Sequence, residues 1–275
     1  MRVLTVGTLL LLTAANVGAQ VNKYVRYAVD GRARYGKVEG EMVRPLRGAP
    51  WVDATPSGAA VTLASVHLLA PTEPSKVIAV GLNYQTHLGE RPAAAYPGLF
   101  AKLPTSIIGT NEDIVLPPDA MNTHYEGEMV VVIGKRATRV SKETAKDYVF
   151  GVTVGDDVSE RDWQKNDLQW FRAKASDTFG PLGPMIATGL NYDDLLLQTR
   201  LNGEVVQSQR TKDLIFNVSE IVSYVSHYVT LMPGDVIYTG TPGTTKRIVA
   251  GDVVEVELEG VGVLRNRVTQ PTGKP

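Results

Sequence analysis

The sequence predicts a β-dominated α+β protein, and three observations support that prediction. Short runs rich in β-branched residues recur between Gly, Pro and Asp turns over most of the chain. The pair Asn202-Gly203 separates two such runs and is the strongest hairpin signal in the sequence. Helical signals are few, and the longest covers only residues 218–229.

The first β signals form a small antiparallel unit. Predicted strands at residues 24–28 and 34–38 flank the turn signal Asp30-Gly31. A connector rich in Ala, Pro, Gly, Ser and Thr follows. We therefore predict a small N-terminal β domain over residues 20–70 and a larger domain over residues 71–275.

The larger domain has short predicted strands separated by turn residues. They cover residues 76–80, 128–133, 149–154, 185–187, 199–201, 204–206, 236–239, 253–258 and 263–268. The helix over residues 218–229 has Asn217 as its predicted N-cap. A second, short helix is predicted to open at Ser159, because Ser159 and Asp162 resemble a capping pair.

Length and charge exclude several classes of function. A chain of 275 residues can bury the core of one large domain with a small appendage. Its 28 Lys and Arg residues balance 29 Asp and Glu residues, so bulk charge favours neither nucleic acid nor an acidic membrane. The chain has no cysteine, which excludes disulfides and a lipid-modified N-terminal Cys.

The N-terminus has the pattern of a secretory signal peptide. Arg2 precedes an apolar stretch, and the small residues Val17 and Ala19 fit cleavage after Ala19. The apolar run is shorter than the roughly 20 residues that a membrane span needs, so an uncleaved anchor is the weaker alternative. We predict that residues 1–19 are removed, and that the mature protein is secreted or periplasmic without a stable membrane anchor.

Two carboxylates lie at the start of an apolar strand. Glu126 and Glu128 are two residues apart, so they share a strand face with Val130 and Val132. Carboxylates this close repel each other unless a cation or protons neutralise them. A surface strand with two solvated glutamates is the alternative, but the apolar run places the pair at the edge of a core.

A second acidic pair, Asp156 and Asp157, ends the next predicted strand just before a helix. These residues can act as helix caps. Together with the glutamate pair they can instead form an all-oxygen site, and hard carboxylate ligands suit Mg²⁺, Mn²⁺ or Ca²⁺ rather than Zn²⁺. The residues alone leave both interpretations open.

Several segments follow one another along the chain: VIAVGLNYQTHLGE (77–90), HYEGEMVVVIG (124–134), DVSERDWQ (157–164), KASDTFGPLGP (174–184), NGE (202–204) with Gln207, GD (234–235), TGTPG (239–243) and GVGVLR (260–265). In this order they resemble the catalytic domain of the fumarylacetoacetate hydrolase (FAH) family. Each is weak alone, but the ordered set is specific and covers about residues 76–268. The resemblance implies a mixed β-sandwich or roll preceded by a small N-terminal β unit, and a homodimer.

The resemblance also implies a metal centre. Glu126, Glu128 and Asp157 would be the ligands of Mg²⁺, with Mn²⁺ or Ca²⁺ as alternatives. Many members of the family have Asn where this chain has Asp156, which leaves the effect of the extra acid open.

Five further residues match active-site positions of the family. His87 and Glu90 match a His-x-x-Glu pair on a mobile segment that closes over the site, and would act as a base and the carboxylate that orients it. Lys174 matches the active-site lysine, whose charge stabilises a developing enolate. Gln164 and Thr241 match positions that contact the substrate.

The implied activity is metal-dependent chemistry on a small 2-oxo acid. The leading expectation is hydrolysis of a C–C bond in an acylpyruvate-like 2,4-dioxo acid through a metal-stabilised enolate. Decarboxylation or keto–enol isomerisation of oxaloacetate-like acids are alternatives on the same site. A non-catalytic periplasmic keto-acid binding protein and a secreted β protein with structural Ca²⁺ are alternatives of other classes, although binding alone needs no base.

Overall fold

Strands dominate residues 20–271, the part of the chain that the computed structural model describes. The predicted signal segment, residues 1–19, lies outside the described residues. The strands are β1 (Asn22–Val29), β2 (Arg32–Glu39), β3 (Met42–Pro45), β4 (Val61–Thr62), β5 (His67–Leu69), β6 (Val77–Gly81), β7 (Gly98–Lys102), β8 (Ile107–Ile108), β9 (Ile114–Val115), β10 (Thr123–His124), β11 (Gly127–Ile133), β12 (Val149–Asp156), β13 (Ser159–Glu160), β14 (Gly180–Thr188), β15 (Leu196–Leu201), β16 (Glu204–Arg210), β17 (Val236–Tyr238), β18 (Val253–Leu258) and β19 (Gly262–Thr269). The helices are α1 (Gln85–Leu88), α2 (Arg161–Asn166), α3 (Phe171–Ala175) and α4 (Val218–Tyr228).

Two sheets form the body of the fold. In the described residues, a 12-stranded sheet has the order β4-β3-β2-β1-β14-β12-β11-β17-β6-β7, with β5 on β1 and β8 on β14. A 5-stranded sheet, β16-β15-β18-β19-β9, packs against β11, β12 and β14, and β10 pairs with β13. The predicted β-dominated α+β class is confirmed. The N-terminal strands join the main sheet directly, because β1 pairs antiparallel with β14.

The core explains why β11 is apolar along its length. Met129, Val131 and Ile133 face the cluster between the two sheets, which also includes α4. Val130 and Val132 face a second cluster on the other side of the main sheet. Because both faces of β11 are buried, the strand fixes the depth and direction of the carboxylates at its start.

The predicted turns and the longer helix agree with the structure. Asn202 and Gly203 both have positive φ, 53° and 86°, as a two-residue hairpin between β15 and β16 requires. Asn217 and Glu220 form a capping box at the start of α4. No helix of the described residues is long and apolar enough to span a membrane.

The prediction of a helix opening at Ser159 is wrong. Ser159 lies in β13, and its hydroxyl donates a hydrogen bond to the Asp157 carbonyl instead of capping a helix. Glu160 is the N-cap of α2, and its carboxylate accepts a hydrogen bond from the Trp163 backbone N–H at 2.7 Å. The capping signal in the sequence therefore misplaces the N-cap by one residue.

Candidate active site

Three carboxylates meet where the start of β11 faces the end of β12. The antiparallel register pairs Gly127 with Asp156, and the Asp157 backbone N–H donates to the Glu126 carbonyl at 2.8 Å. Glu126, Glu128 and Asp157 each offer one oxygen, and these oxygens lie within 4.8 Å of one another. All three residues are buried, with 4%, 2% and 1% of their surface exposed. The strand register thus brings the three predicted metal ligands together.

Two buried lysines contact these carboxylates. Lys174, at the end of α3, donates from Nζ to Glu126 Oε2 and Asp157 Oδ2, at 2.6 Å each. Lys102, the last residue of the edge strand β7, donates from Nζ to Asp157 Oδ1 at 2.6 Å and to the Lys174 carbonyl. Lys102 therefore fixes both Asp157 and the backbone that carries Lys174.

Burial and charge set the protonation of the site. Burial, then Asp157 and Glu126, raise the pKa of Glu128 well above its ordinary value. Burial alone would raise the pKa of Glu126, but the charges of Lys174 and Arg161 outweigh it and lower that pKa. Burial works against the Lys174 ammonium, but Asp157 and Glu126 outweigh it and raise its pKa.

The three carboxylates fit a hard divalent cation. All of the atoms that they offer to a metal are oxygens. Among the described residues, the Glu128 carboxylate accepts a hydrogen bond only from the Gly240 backbone N–H, at 2.7 Å. A cation with two positive charges would remove the repulsion that raises the pKa of Glu128. A divalent metal therefore matches both the chemistry and the electrostatics of this site.

Asp156 takes no part in this cluster of donors. Its Oδ1 accepts a hydrogen bond from the Glu126 backbone N–H at 2.7 Å, and its Oδ2 has no partner among the described residues. Burial raises the pKa of Asp156 to about 7. The interpretation of Asp156 and Asp157 as helix caps is wrong, since Glu160 caps α2.

His87 extends from α1 toward the carboxylates. Its Nδ1 lies 2.6 Å from the Gly243 carbonyl oxygen, which can only accept, so Nδ1 carries the hydrogen. In the neutral ring, Nε2 then has a free lone pair, and it lies 3.6 Å from Glu126 Oε1. A second bond, from the Gly243 N–H to Thr86 Oγ1 at 3.0 Å, ties α1 to the loop after β17. The segment is therefore already folded against that loop.

The structure does not bring Glu90 to the site. Gly89, with φ of 69°, ends α1 and turns the chain, and Glu90 follows on the exposed surface. The Gly243 carbonyl occupies the position next to His87 Nδ1 that Glu90 was predicted to take. Orientation of His87 by Glu90 stays a prediction for other states of the segment.

The carboxylates and His87 open onto a pocket of about 560 Å³. Its other polar lining residues are Arg91, His124, Arg161, Gln164, Lys165, Lys174, Thr241, Thr244 and Thr245. Gln164 accepts a hydrogen bond from Arg161 at 2.8 Å, and the Thr241 hydroxyl donates to the Gly127 carbonyl at 2.9 Å. Both predicted substrate contacts therefore lie in the pocket.

Three polar residues of the site were missed from the sequence. Arg161 lies inside the segment 157–164, where the family resemblance could have identified it. Lys102 ends a short strand without any spacing signal, and only the fold brings it to Asp157. His124 lines the pocket, and burial and then Arg161 lower its pKa to about 4, so its ring is neutral near pH 7.

A pocket lined by buried carboxylates, histidines and cationic side chains is typical of an enzyme active site, and the comparisons identify which kind. The model for "Fumarylacetoacetate (FAA) hydrolase C-terminal" matches residues 76–269, and the model for "Rv2993c-like, N-terminal" matches residues 22–71. The chain belongs to the fumarylacetoacetate hydrolase family, as the sequence motifs predict.

Three similar proteins show the range of activities in the family. The mitochondrial oxaloacetate tautomerase FAHD2A of Bos taurus is 42% identical over 218 residues, which cover 74% of this chain and 69% of that protein. The structure of 5-carboxymethyl-2-hydroxymuconate delta-isomerase from Mycobacterium smegmatis has a TM-score of 0.86 and 41% identity, over 90% of this chain and 100% of that chain. Maleylpyruvate hydrolase from Sphingobium sp. SYK-6, in complex with manganese(II) and pyruvate, has a TM-score of 0.76 and 28% identity, over 91% of this chain and 100% of that one.

Proposed function

We propose that this protein is a divalent-metal-dependent isomerase that interconverts the keto and enol forms of a small 2-oxo acid with a second carboxylate, such as oxaloacetate. The position of His87 carries the proposal, because its Nε2 is a single free base beside the carboxylates. Tautomerisation needs one such base. Hydrolysis, the leading expectation from the sequence, also needs a water molecule held between this base and the distal carbonyl carbon of the substrate.

Glu126, Glu128 and Asp157 would hold the metal, and Mg²⁺ is our proposed ion, with Mn²⁺ and Ca²⁺ as alternatives. When bound, such an ion supplies positive charge to the carboxylate and 2-oxo oxygens of the substrate and lowers the energy of the enolate. The family member crystallised with manganese(II) and pyruvate supports a divalent ion here.

The residues of the chain would then move the proton. His87 Nε2 takes a proton from the carbon next to the 2-oxo group and returns it to the 2-oxygen, so one base serves both steps. The Lys174 ammonium stays charged, because its pKa is raised, and adds positive charge where the enolate forms. Gln164 and Thr241 line the same pocket and are the proposed substrate contacts.

A direct assay separates the reactions. Purified protein with Mg²⁺ is mixed with the enol form of oxaloacetate, and enol absorbance, CO₂ and pyruvate are followed together. We expect enol to disappear faster than in buffer, without release of CO₂ or pyruvate. Release of CO₂ at the rate of enol loss would identify a decarboxylase, and no acceleration with any 2-oxo acid would support the non-catalytic binding protein.

Hydrolysis of an acylpyruvate is the second candidate, and the maleylpyruvate hydrolase relative favours it. It predicts pyruvate release from maleylpyruvate, measured with lactate dehydrogenase. A kcat/KM for that release above the value for oxaloacetate tautomerisation would make hydrolysis the main activity.

Two further expectations remain proposals. If the protein is exported, we expect the mature chain to begin at Gln20. The intact mass of the secreted protein tests this. A homodimer predicts twice the chain mass by light scattering.

A further inference from the structure

A chain of side-chain hydrogen bonds leads from the surface into the pocket. Asn122 Nδ2 donates to Asp162 Oδ1 at 3.0 Å, and Asn122 Oδ1 lies 3.0 Å from His124 Nε2. His124 Nδ1 lies 2.9 Å from Thr245 Oγ1, which accepts a hydrogen bond from Arg161 Nη2 at 2.8 Å.

Donors and acceptors fix the direction of this chain. The Asp162 carboxylate only accepts, so the Asn122 amide nitrogen faces it and the amide oxygen faces His124. His124 Nε2 must therefore carry a hydrogen, and in the neutral ring Nδ1 is an acceptor. The Thr245 hydroxyl donates to that nitrogen, which leaves its oxygen lone pairs for Arg161. Each group has a partner of the right kind.

Thr245 competes with a carboxylate for the same nitrogen of Arg161. Arg161 Nη2 donates one hydrogen to Thr245 and one to Glu126 Oε1, at 2.6 Å, while Nη1 donates to Gln164. Without the Thr245 hydroxyl, the negative charge of Glu126 would be the main partner of Nη2 and would draw the guanidinium toward the carboxylate cluster. With the Thr245 hydroxyl present, Arg161 Nη2 is bound by both Thr245 and Glu126, and the guanidinium is held between them.

The held guanidinium keeps donors for a ligand. Its Nε–H and the second hydrogen of Nη1 have no hydrogen-bond partner among residues 20–271. Arg161 lines the pocket, and 19% of its side chain is exposed. These two N–H groups lie on different edges of the guanidinium, so each can donate one charge-assisted hydrogen bond to a carboxylate oxygen of a ligand.

We propose that Asn122, His124 and Thr245 are positioning residues that hold Arg161 for the distal carboxylate of the substrate. They thereby set a preference for 2-oxo acids with a second carboxylate over those without one. This inference rests on the proposed function, since it assigns specificity within the same site.

The test compares two acids that differ only in the distal carboxylate. Oxaloacetate is followed by enol conversion, and pyruvate by exchange of its methyl protons for deuterons in D₂O, both with Mg²⁺. Thr245→Val keeps the shape of the side chain and removes the hydroxyl, and Thr245→Ser restores it. We expect Thr245→Val to lower the ratio of kcat/KM for oxaloacetate to that for pyruvate by about 10- to 100-fold, the scale of a charge-assisted hydrogen bond. The loss should lie mainly in KM, and Thr245→Ser should keep the ratio within about 3-fold of wild type.

A second variant, His124→Phe, should lower the same ratio, because Thr245 then loses its acceptor. A merely structural role would lower both activities together, so an unchanged ratio in both variants overturns the inference. Failure of the proposed function would show in the wild type itself, as no turnover of either acid. In that case, calorimetry with Mg²⁺ gives the dissociation constants of oxaloacetate and pyruvate. Their ratio can then be compared between the wild type and the variants.

Discussion

Replacing Glu128 with Gln tests whether the three carboxylates form a metal site or only a buried acidic cluster. The amide oxygen of Gln can still accept the Gly240 N–H that Glu128 Oε2 accepts at 2.7 Å, and the side chain keeps its size. The substitution therefore removes one negative charge among three that lie within 4.8 Å of one another. We expect it to stabilise the metal-free protein and to destroy metal binding.

The raised pKa of Glu128 gives the sign of the change in stability of the metal-free protein. The pKa of Glu128 is raised above 4.5, so the folded chain keeps this proton to higher pH than the unfolded chain does. Stability is then complete below about pH 4.5 and is lost as pH rises toward the folded pKa, by about 1.4 kcal/mol for each pH unit. Between the two pKa values the wild type loses stability that the Gln variant keeps, because the variant has no proton to release.

Urea unfolding in chelator between pH 4 and pH 8 measures this difference. The two proteins should be equally stable near pH 4, and the variant should be the more stable near pH 7. Saturating Mg²⁺ should reverse the order, since a ligand at about 100 times its Kd stabilises the folded wild type by about 2.7 kcal/mol. Glu204→Gln, at an exposed position on β16, is the matched control and should change neither curve. A Glu128→Gln variant that is less stable in chelator at pH 7 would refute the reasoning.

Three other substitutions test separate parts of the site. His87→Ala should lower turnover by about 10²- to 10⁴-fold. The Mg²⁺-induced shift in its Tm should stay within about 2 °C of the wild-type shift. Full activity of the variant would exclude His87 as the base. The metal-free wild type should lose stability as pH rises from about 4 to about 7, because the pKa of Asp156 is raised to about 7, and Asp156→Asn should remove this loss. Identical pH profiles of wild type and variant in urea unfolding would contradict the raised pKa. Gly127→Ala places a Cβ 2.0 Å from Thr199 Oγ1 and should cost about 1–3 kcal/mol by urea unfolding. Gly98→Ala, with its nearest atom at 3.8 Å, is the control and should cost less.

The shared face of Glu126 and Glu128 could be predicted because it depends only on the two-residue period of a strand. The meeting of Glu126 with Asp157 needed one more step, the antiparallel pairing of β11 with β12, and the family resemblance supplied it. These features are local in the sequence or shared by relatives.

The partners of the site residues could not be predicted in this way. Lys102 reaches Asp157 across 55 residues, and the Gly243 carbonyl reaches His87 across 156. A backbone carbonyl gives no sequence signal, and so the neighbouring Glu90 was the natural candidate for orienting His87. The start of α2 was misplaced because Ser159 is a preferred N-cap residue by type and Glu160 is not, and only the fold selects Glu160.

The charges of the site give a physical reason for metal and substrate to bind together. With a divalent cation present, the three carboxylates would be ionised, and the Lys174 ammonium and the Arg161 guanidinium lie against them. The cation would add positive charge at a buried site, which is costly unless an anion offsets it. A 2-oxo acid with two carboxylates brings more negative charge to the cation and these side chains than an acid with one carboxylate does. Each ligand therefore strengthens the binding of the other by the same factor, and this coupling favours the acids that the proposed isomerase would convert.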